Sequence, residues 1–488
     1  MAELSVETTD VPGLLVVRLP LHEDARGWFK ENWQRAKMTA LGLPDFGPVQ
    51  HSVAYNARRG VTRGVHTEPW DKFISVAQGR IFGAWVDMRE GDSFGNVVTI
   101  EADPTVAVFV PRGVGNSYQV LEDGTTYSYL VNDHWRAGLA YPALNLADPT
   151  IAIPWPIPLA ECEISDKDLS TPMLADVEPM KPKKTLIVGA LGQLGRALAA
   201  AFPDADLVDL PAAVSSLVEV RGALAPSLET PQPGAGTQPQ PLDVTDPAQV
   251  TAWPWNEYSL VLNAAAYTAV DAAETPDGRR TAWAANAQAP ATLARLAAEH
   301  RFTLVHYSTE YVFDGTQEPH AEDEPLSPLG VYAQTKAAGD VAVAAAPRHY
   351  VLRTSWVIGE GKNFVRTMQS LGEKGVSPSV VDDQVGRLTF TEELARATVH
   401  LVGSEAAYGT YNVSNSGPPM SWCEIAREVY ALSGRDPEDV TPVTTEAYYS
   451  GQEGLSPRPL RSVMDLTKIQ ATGFEPEDAM TALRRYLS

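Results

Sequence analysis

The sequence predicts two domains of different class: an all-β sandwich or jelly roll, then a doubly wound parallel α/β sheet. Three observations carry this. Short β-rich runs separated by turn residues fill about the first 160 residues. Strands and helices alternate beyond about residue 184. A glycine turn, Gly189-Ala190-Leu191-Gly192-Gln193-Leu194-Gly195, stands in the middle of the chain, so something else folds ahead of it.

In the first part, Leu14-Leu15-Val16-Val17, Phe73-Ile74-Ser75-Val76, Ile81–Val86 and Val106–Val110 read as strands. Gln78-Gly79, Glu90-Gly91-Asp92, Asp103-Pro104, Pro111-Arg112-Gly113 and Glu122-Asp123-Gly124 supply the turns between them. The texture changes between roughly 170 and 184, where Pro172, Pro179 and Pro182 stand among charged residues. The expected division is 1–178, a linker at 179–183, and 184–488. Strand Leu260-Val261-Leu262, a helix over Ala282–Ala298, strand Phe302–His306 and strand Tyr350–Arg353 then alternate. The stretch from Pro226 to Pro241 holds five prolines and reads as an insertion without a core of its own. No internal repeat relates the two parts.

Composition bounds the function. With 488 residues, 44% hydrophobic and 20% charged, the chain is an ordinary globular one with room for two cores. Its net charge of −23, spread along the chain, argues against nucleic acid or an anionic membrane as partner. Two distant cysteines, Cys162 and Cys423, suit reduced thiols in a cytoplasmic protein. The start lacks a basic segment followed by an apolar stretch, so no signal peptide is expected, and no apolar run is long enough to span a bilayer.

The chemistry-bearing motifs lie mostly in the second part. A strand, Thr185-Leu186-Ile187-Val188, runs into the glycine turn and on into a helix, the setting in which a helix N-terminus cradles pyrophosphate. Tyr332 and Lys336 are four residues apart and share a helix face. An ammonium there is expected to lower the pKa of the phenol, which then gives a proton to a ketone; the ordinary alternative is a solvated helix face. Ser308-Thr309-Glu310 follows a strand, where Thr309 can polarise the same ketone or cap a turn.

These motifs become specific together. Ser308-Thr309-Glu310-Tyr311-Val312-Phe313-Asp314-Gly315, Asn263–Asp271, Asn363-Phe364-Val365 and Val381-Asp382-Asp383-Gln384-Val385-Gly386 resemble the dTDP-4-dehydrorhamnose reductases. The resemblance implies a Rossmann fold of the extended short-chain dehydrogenase type with a smaller C-terminal substrate subdomain. It implies catalytic Thr309, Tyr332 and Lys336, with Glu310 beside them where the family often has Asp. Gly189, Gly192, Gln193, Leu194, Gly195, Asp243, Ala264 and Ala265 fall on cofactor positions, and Tyr332 and Lys336 join them. Arg353 and Arg458 are candidates for the charge of the sugar nucleotide, an ion pair being the alternative for each. The cofactor is expected to be NADPH or NADH; Asp209, near the end of the second strand, could accept from a ribose hydroxyl and favour NADH.

In the first part, Asp24–Glu31, Arg63-Gly64-Val65-His66, Gly79–Phe82, Val86–Arg89, Asp148–Pro156 and Ser165–Asp168 resemble dTDP-4-dehydrorhamnose 3,5-epimerase. The resemblance implies a cupin jelly roll, a homodimer formed through it, His66 as base with Asp168 behind it, Lys72 at the enolate oxygen and Tyr129 as acid. Arg26, Glu31, Arg63 and Asn116 would bind the substrate. Three departures stand out: Asn116-Ser117-Tyr118 replaces a usual His-Gly-Phe, Gly83 replaces an Asp, and the His66-to-Lys72 loop is short. The reading is a bifunctional enzyme for the last two steps to dTDP-L-rhamnose, with no metal. The alternatives are a reductase with a weak or purely binding cupin domain, and a non-enzymatic sugar-nucleotide-binding regulator.

Overall fold

A computed structural model describes residues 3–135, 141–216 and 238–488. The chain divides into Met1–Pro182 and Lys183–Ser488.

The first unit is a sandwich of two antiparallel sheets. In chain order its elements are β1 (Ser5–Thr8), β2 (Leu15–Arg18), the hairpin β3 (His22–Asp24) and β4 (Gly27–Phe29), α1 (Arg35–Ala40), β5 (Gln50–Asn56), β6 (Thr62–His66), β7 (Lys72–Gln78), β8 (Ile81–Asp87), β9 (Val97–Ala102), β10 (Val106–Val110), β11 (Val114–Val120), β12 (Thr125–Val131) and α2 (Asp166–Leu169). The sheet orders are β1-β2-β10-β7-β12-β5 and β6-β11-β8-β9. Alternate residues of each strand point inward. Val16, Ile74, Val76, Val108 and Tyr127 from one sheet therefore meet Trp85, Val114, Tyr118 and Val120 from the other in one core. Met180 extends this unit: its N–H donates to Met88 O at 2.7 Å and its carbonyl accepts from Glu90 N at 3.1 Å.

The second unit opens with β13 (Lys184–Val188), α3 (Gln193–Ala201), β14 (Asp206–Asp209), β15 (Gln240–Pro241), β16 (Tyr258–Asn263), β17 (Thr303–Thr309) and β18 (His349–Thr354). With strand Gly409–Asn412 these form a seven-stranded sheet in the order β15-β14-β13-β16-β17-β18-(Gly409–Asn412). Every pairing in it is parallel. Both faces are covered, which is why the strands read as unbroken apolar runs. Leu186, Val188, Val261, Leu304 and Val351 pack on one side against Leu293, Ala297 and Val343. Ile187, Leu262, Val305 and Leu352 pack on the other against Leu198, Leu394 and Leu401. A separate core gathers C-terminal elements of this unit, where Trp356, Val365 and Met368 meet Ile425, Val429 and Leu483. The helix expected over Ala282–Ala298 runs through Pro276–Trp283, a π-helical turn Ala284–Gln288, and Ala289–His300. Of the proline-rich stretch only its last residues are described; 226–237 lie outside the described residues.

Candidate functional sites

In the sandwich, β6 ends on His66, whose Nε2 lies 2.8 Å from Asp168 Oδ1. An ionised carboxylate only accepts, so Nε2 carries a proton here, and in the neutral ring Nδ1 keeps its lone pair. Asp168 is placed by α2, N-capped by Ser165, and its Oδ2 accepts from Gly64 N at 3.3 Å. Burial pushes this carboxyl up, but His66, the Gly64 N–H and Ser165 outweigh it and hold it below the usual carboxylate range. Gly64 has φ +117°, and a Cβ there would sit 2.5 Å from Ser117 Cβ, so only glycine lets β6 lie this close to β11.

Lys72 opens β7, and its Nζ stands 5.4 Å from the ring centroid of Tyr129 on β12. Asn116 is paired with His66 across β11 and β6. Its Oδ1 accepts from the Tyr127 hydroxyl at 3.2 Å, and Tyr127 stacks on Tyr118 at 4.2 Å. The Tyr118 hydroxyl donates to Asn56 Oδ1 at 3.4 Å, and Arg63 Nε donates to the same oxygen at 3.1 Å. Burial pushes both phenols up. Where Gly83 departs from the family, a Cβ would lie 2.3 Å from the Trp85 ring, so the indole fills that space. His66, Asp168, Arg63, Asn116, Lys72 and Tyr129 thus share this end of the sandwich. Arg26 instead pairs with Asp24 at the exposed β3–β4 hairpin, and Glu31 with Lys37 at 2.6 Å; neither pair includes a member of the His66 group.

In the second unit the strand order reverses between β13 and β16, the place where an open sheet leaves a crevice. Gly189 follows β13 with φ +77°, and a Cβ there would lie 2.7 Å from Ala265 N. A Cβ at Gly195 would lie 2.1 Å from Gly189 O. The turn therefore presses on Ala264–Ala265, and Ala264 N donates to Val188 O at 2.9 Å. Gly192 is the N-cap of α3 and offers no capping side chain, which leaves the first-turn N–H groups of Gln193, Leu194 and Gly195 for a phosphate. Asp243 turns inward on its own loop, Oδ1 accepting from Thr245 N at 2.8 Å. Asp209 is also engaged: its carboxylate accepts from Leu191 N and Leu210 N, each at 2.7 Å.

Thr309 ends β17; its hydroxyl donates to Glu310 Oε2 at 2.8 Å and accepts from Tyr311 N at 3.2 Å. Burial pushes the Glu310 carboxyl up to about 8, with the Thr309 contact working against it. Tyr332 and Lys336 ride the helix Val331–Ala344, whose first N–H is capped by Glu274 Oε1 at 2.8 Å. The expected acidic phenol is not found. Burial, then the Glu310 charge, push Tyr332 above the usual phenol value, opposed by its contact with the Thr309 hydroxyl. Lys336 Nζ donates to Tyr307 O at 2.6 Å and does not offset that burial. Burial brings Lys336 down to about 8, against the pull of Asp340.

Arg353 corrects a second expectation. It is buried, with Nε 3.0 Å from Asp340 Oδ2 and NH1 donating to the Glu322 carbonyl at 3.0 Å, so it neutralises Asp340 beneath the site. Arg458 pairs with Asp271 at 2.8 Å, and its charge reaches Tyr311, the neighbour of Tyr332 at 6.2 Å. Sequence reasoning missed Glu68, Glu274, Asn286 and Asp340. Asn286 sits in the π-helical turn and ties Tyr267 O (2.9 Å) to the Thr335 hydroxyl (3.2 Å) on the helix that carries Tyr332 and Lys336. Asp340 had a signal, four residues after Lys336 on one face.

The geometry defines a chain that joins an acid–base site in a β-sandwich to a dinucleotide crevice with a Thr–Tyr–Lys group. The family model described as dTDP-4-dehydrorhamnose 3,5-epimerase matches residues 8–176, and that of the RmlD substrate binding domain matches 183–488. A "Protein RmlC homolog" of Streptococcus pyogenes is 48% identical over 184 residues, 36% of this chain and 92% of the relative. A dTDP-4-dehydrorhamnose reductase of Streptomyces griseus is 34% identical over 309 residues, 62% of this chain and 91% of the relative. The crystal structure of a dTDP-4-dehydrorhamnose reductase from Bacillus anthracis in complex with NADP is 28% identical, with TM-score 0.50, covering 63% of this chain and 98% of that one. The chain belongs to both families, the epimerase family in its first unit and the RmlD family in its second. An epimerase domain and a reductase domain are therefore present in one polypeptide.

Proposed function

We propose that this chain epimerises dTDP-4-dehydro-6-deoxyglucose at C3 and C5 and then reduces the C4 ketone to give dTDP-L-rhamnose. The observation that carries it is the presence in one polypeptide of the His66–Asp168 pair with Lys72 and Tyr129, and of Thr309, Tyr332 and Lys336 beside a glycine crevice.

C3 and C5 both lie α to the ketone, so their protons are acidic enough for a side-chain base. His66 Nδ1 takes the proton, and Asp168 holds the imidazolium that results. Lys72 faces the enolate oxygen; Tyr129 returns a proton at C5 from the opposite face, solvent returns one at C3, and His66 and Tyr129 then re-exchange their protons with solvent. Arg63 and Asn116 hold the nucleotide sugar, joined by Arg26 and Glu31 contributed across a dimer. Val49, Val53 and Tyr55, 55–66% exposed in and beside the edge strand β5, with Phe29, 65% exposed on the β3–β4 hairpin, support a homodimer through this domain.

In the second unit the cradle that a Cβ would fill at Gly189 and the open N-terminus of α3 fit a pyrophosphate. Gly189, Gly192, Gln193, Leu194, Gly195, Ala264 and Ala265 would hold the dinucleotide, with Asp243 at its far end. NADPH is the cofactor, in line with the NADP-bound relative. Bound there, it supplies the hydride for C4. Thr309 turns its hydroxyl from Glu310 to orient the ketone oxygen, Tyr332 protonates that oxygen, and the protonated Glu310 carboxyl keeps that corner neutral. Lys336 is poised to leave the Tyr307 carbonyl for the nicotinamide ribose. The place of work is the cytoplasm, where the acceptor nucleotide sugar and NADPH are found together; among the described residues no helix is long and apolar enough to cross a membrane.

The test is the full chain with dTDP-4-dehydro-6-deoxyglucose. In D2O without NADPH, label must enter C3 and C5; with NADPH, the product must be dTDP-L-rhamnose. Absence of exchange removes the epimerase assignment, and a product keeping the gluco configuration at C5 removes the coupled sequence.

A further inference from the structure

The short loop between β6 and β7 carries a carboxylate for which the mechanism above has no use. Glu68 Oε2 lies 2.5 Å from Lys72 Nζ, and the two side chains are only 16% and 7% exposed. The pair points inward. Lys72 stands over the Tyr129 ring at 5.4 Å, and the Glu68 charge is felt by Tyr127, whose hydroxyl donates to Asn116 opposite His66.

The loop backbone fixes where this carboxylate sits. The Glu68 carbonyl accepts from Gly113 N at 3.4 Å. Asp71 accepts from Arg112 N and from the Asn132 amide, each at 2.8 Å, and Trp70 is buried beneath. A surface pair with this spacing would contribute little. A buried one is different, because removing one partner strands the other charge. Lysine has a long, freely rotating stem, and an ammonium serves an enolate only when held at the developing charge.

We propose that Glu68 is a positioning residue of the epimerase site, pinning the Lys72 ammonium against the ketone oxygen of the sugar. This rests on the epimerase reading above. Glu68 acts through Lys72 and does not itself touch the reacting carbons.

The experiment follows deuterium entry at C3 and C5 of dTDP-4-dehydro-6-deoxyglucose, catalysed by the full chain. It compares the unaltered protein, Glu68→Gln, Glu68→Asp, Lys72→Met and the double variant Glu68→Gln/Lys72→Met. Glu68→Gln is expected to lower kcat on the order of 10- to 100-fold, as misaimed catalytic groups do, with KM changed less than about threefold. Glu68→Asp, which keeps the charge, recovers most of the rate. The double variant is no slower than Lys72→Met alone, because two residues acting as one unit are not additive. Losses that multiply in the double variant, a loss confined to KM, or an Asp variant no better than Gln would overturn the assignment. Normal exchange by the unaltered chain and by Glu68→Gln sinks this inference alone. No exchange by the unaltered chain sinks the epimerase reading and this inference with it.

Discussion

Glu310→Gln isolates the electrostatics of the reductase site. Burial lifts this carboxyl from its usual 4.5 to about 8. At about 1.4 kcal/mol per unit, its ionised form is disfavoured by on the order of 5 kcal/mol. The sign follows from proton uptake. Between about pH 4.5 and about pH 8 the folded chain keeps a proton that the unfolded chain has released. Stability therefore falls as pH rises through that window and levels off above it. Glutamine keeps the shape and cannot ionise, so the variant escapes the loss. Lys336 titrates in both proteins, and the difference between them cancels it. Followed by thermal unfolding of the reductase part of the full chain, the variant should gain on the order of 10 °C relative to the unaltered protein between pH 5 and pH 9. A difference that stays flat over that range, or that favours the unaltered protein at high pH, would refute a buried, neutral Glu310.

Tyr332→Phe should leave NADPH binding intact and lower reductase kcat by about 10²- to 10⁴-fold, the usual yield of a positioned acid; full turnover would contradict its role. Gly189→Ala should destabilise by about 1–3 kcal/mol and weaken NADPH binding, since a Cβ there meets Ala265 at 2.7 Å with φ +77°; fluorescence titration with NADPH reads it. Arg353→Met should cost about 3–5 kcal/mol, because it strands a buried Asp340, whereas denaturant unfolding at the unaltered midpoint would show that Arg353 carries no structural charge pair.

Much of the fold is legible in the chain because its causes are local. Leu186 and Val188 face one helical layer and Ile187 the other, so β13 has to read as a solid apolar run. The glycine turn announces itself because close approach admits no other residue. The sites are only partly legible. His66 and Asp168 lie 102 positions apart, and nothing in periodicity joins them; the family resemblance does. Helical spacing places Tyr332 and Lys336 on one face, yet a backbone carbonyl of a neighbouring strand sets where the ammonium points. Arg353 looks like a free charge until β18 is seen to bury it against Asp340. Glu68 stays hidden because a Glu-Pro-Trp-Asp-Lys loop reads as solvated charge until the core closes under Trp70.

The hydrogen bonds of Met180 to Met88 and Glu90 govern where the polypeptide can be divided. A fragment ending at 178 would strip the Met88 carbonyl and the Glu90 amide of their partners and fray the rim of the sandwich. Excision at Pro182 severs neither bond and falls between the two units, ahead of the strand that Lys184 opens, so that is the place for a protease site that leaves the rim of the sandwich intact.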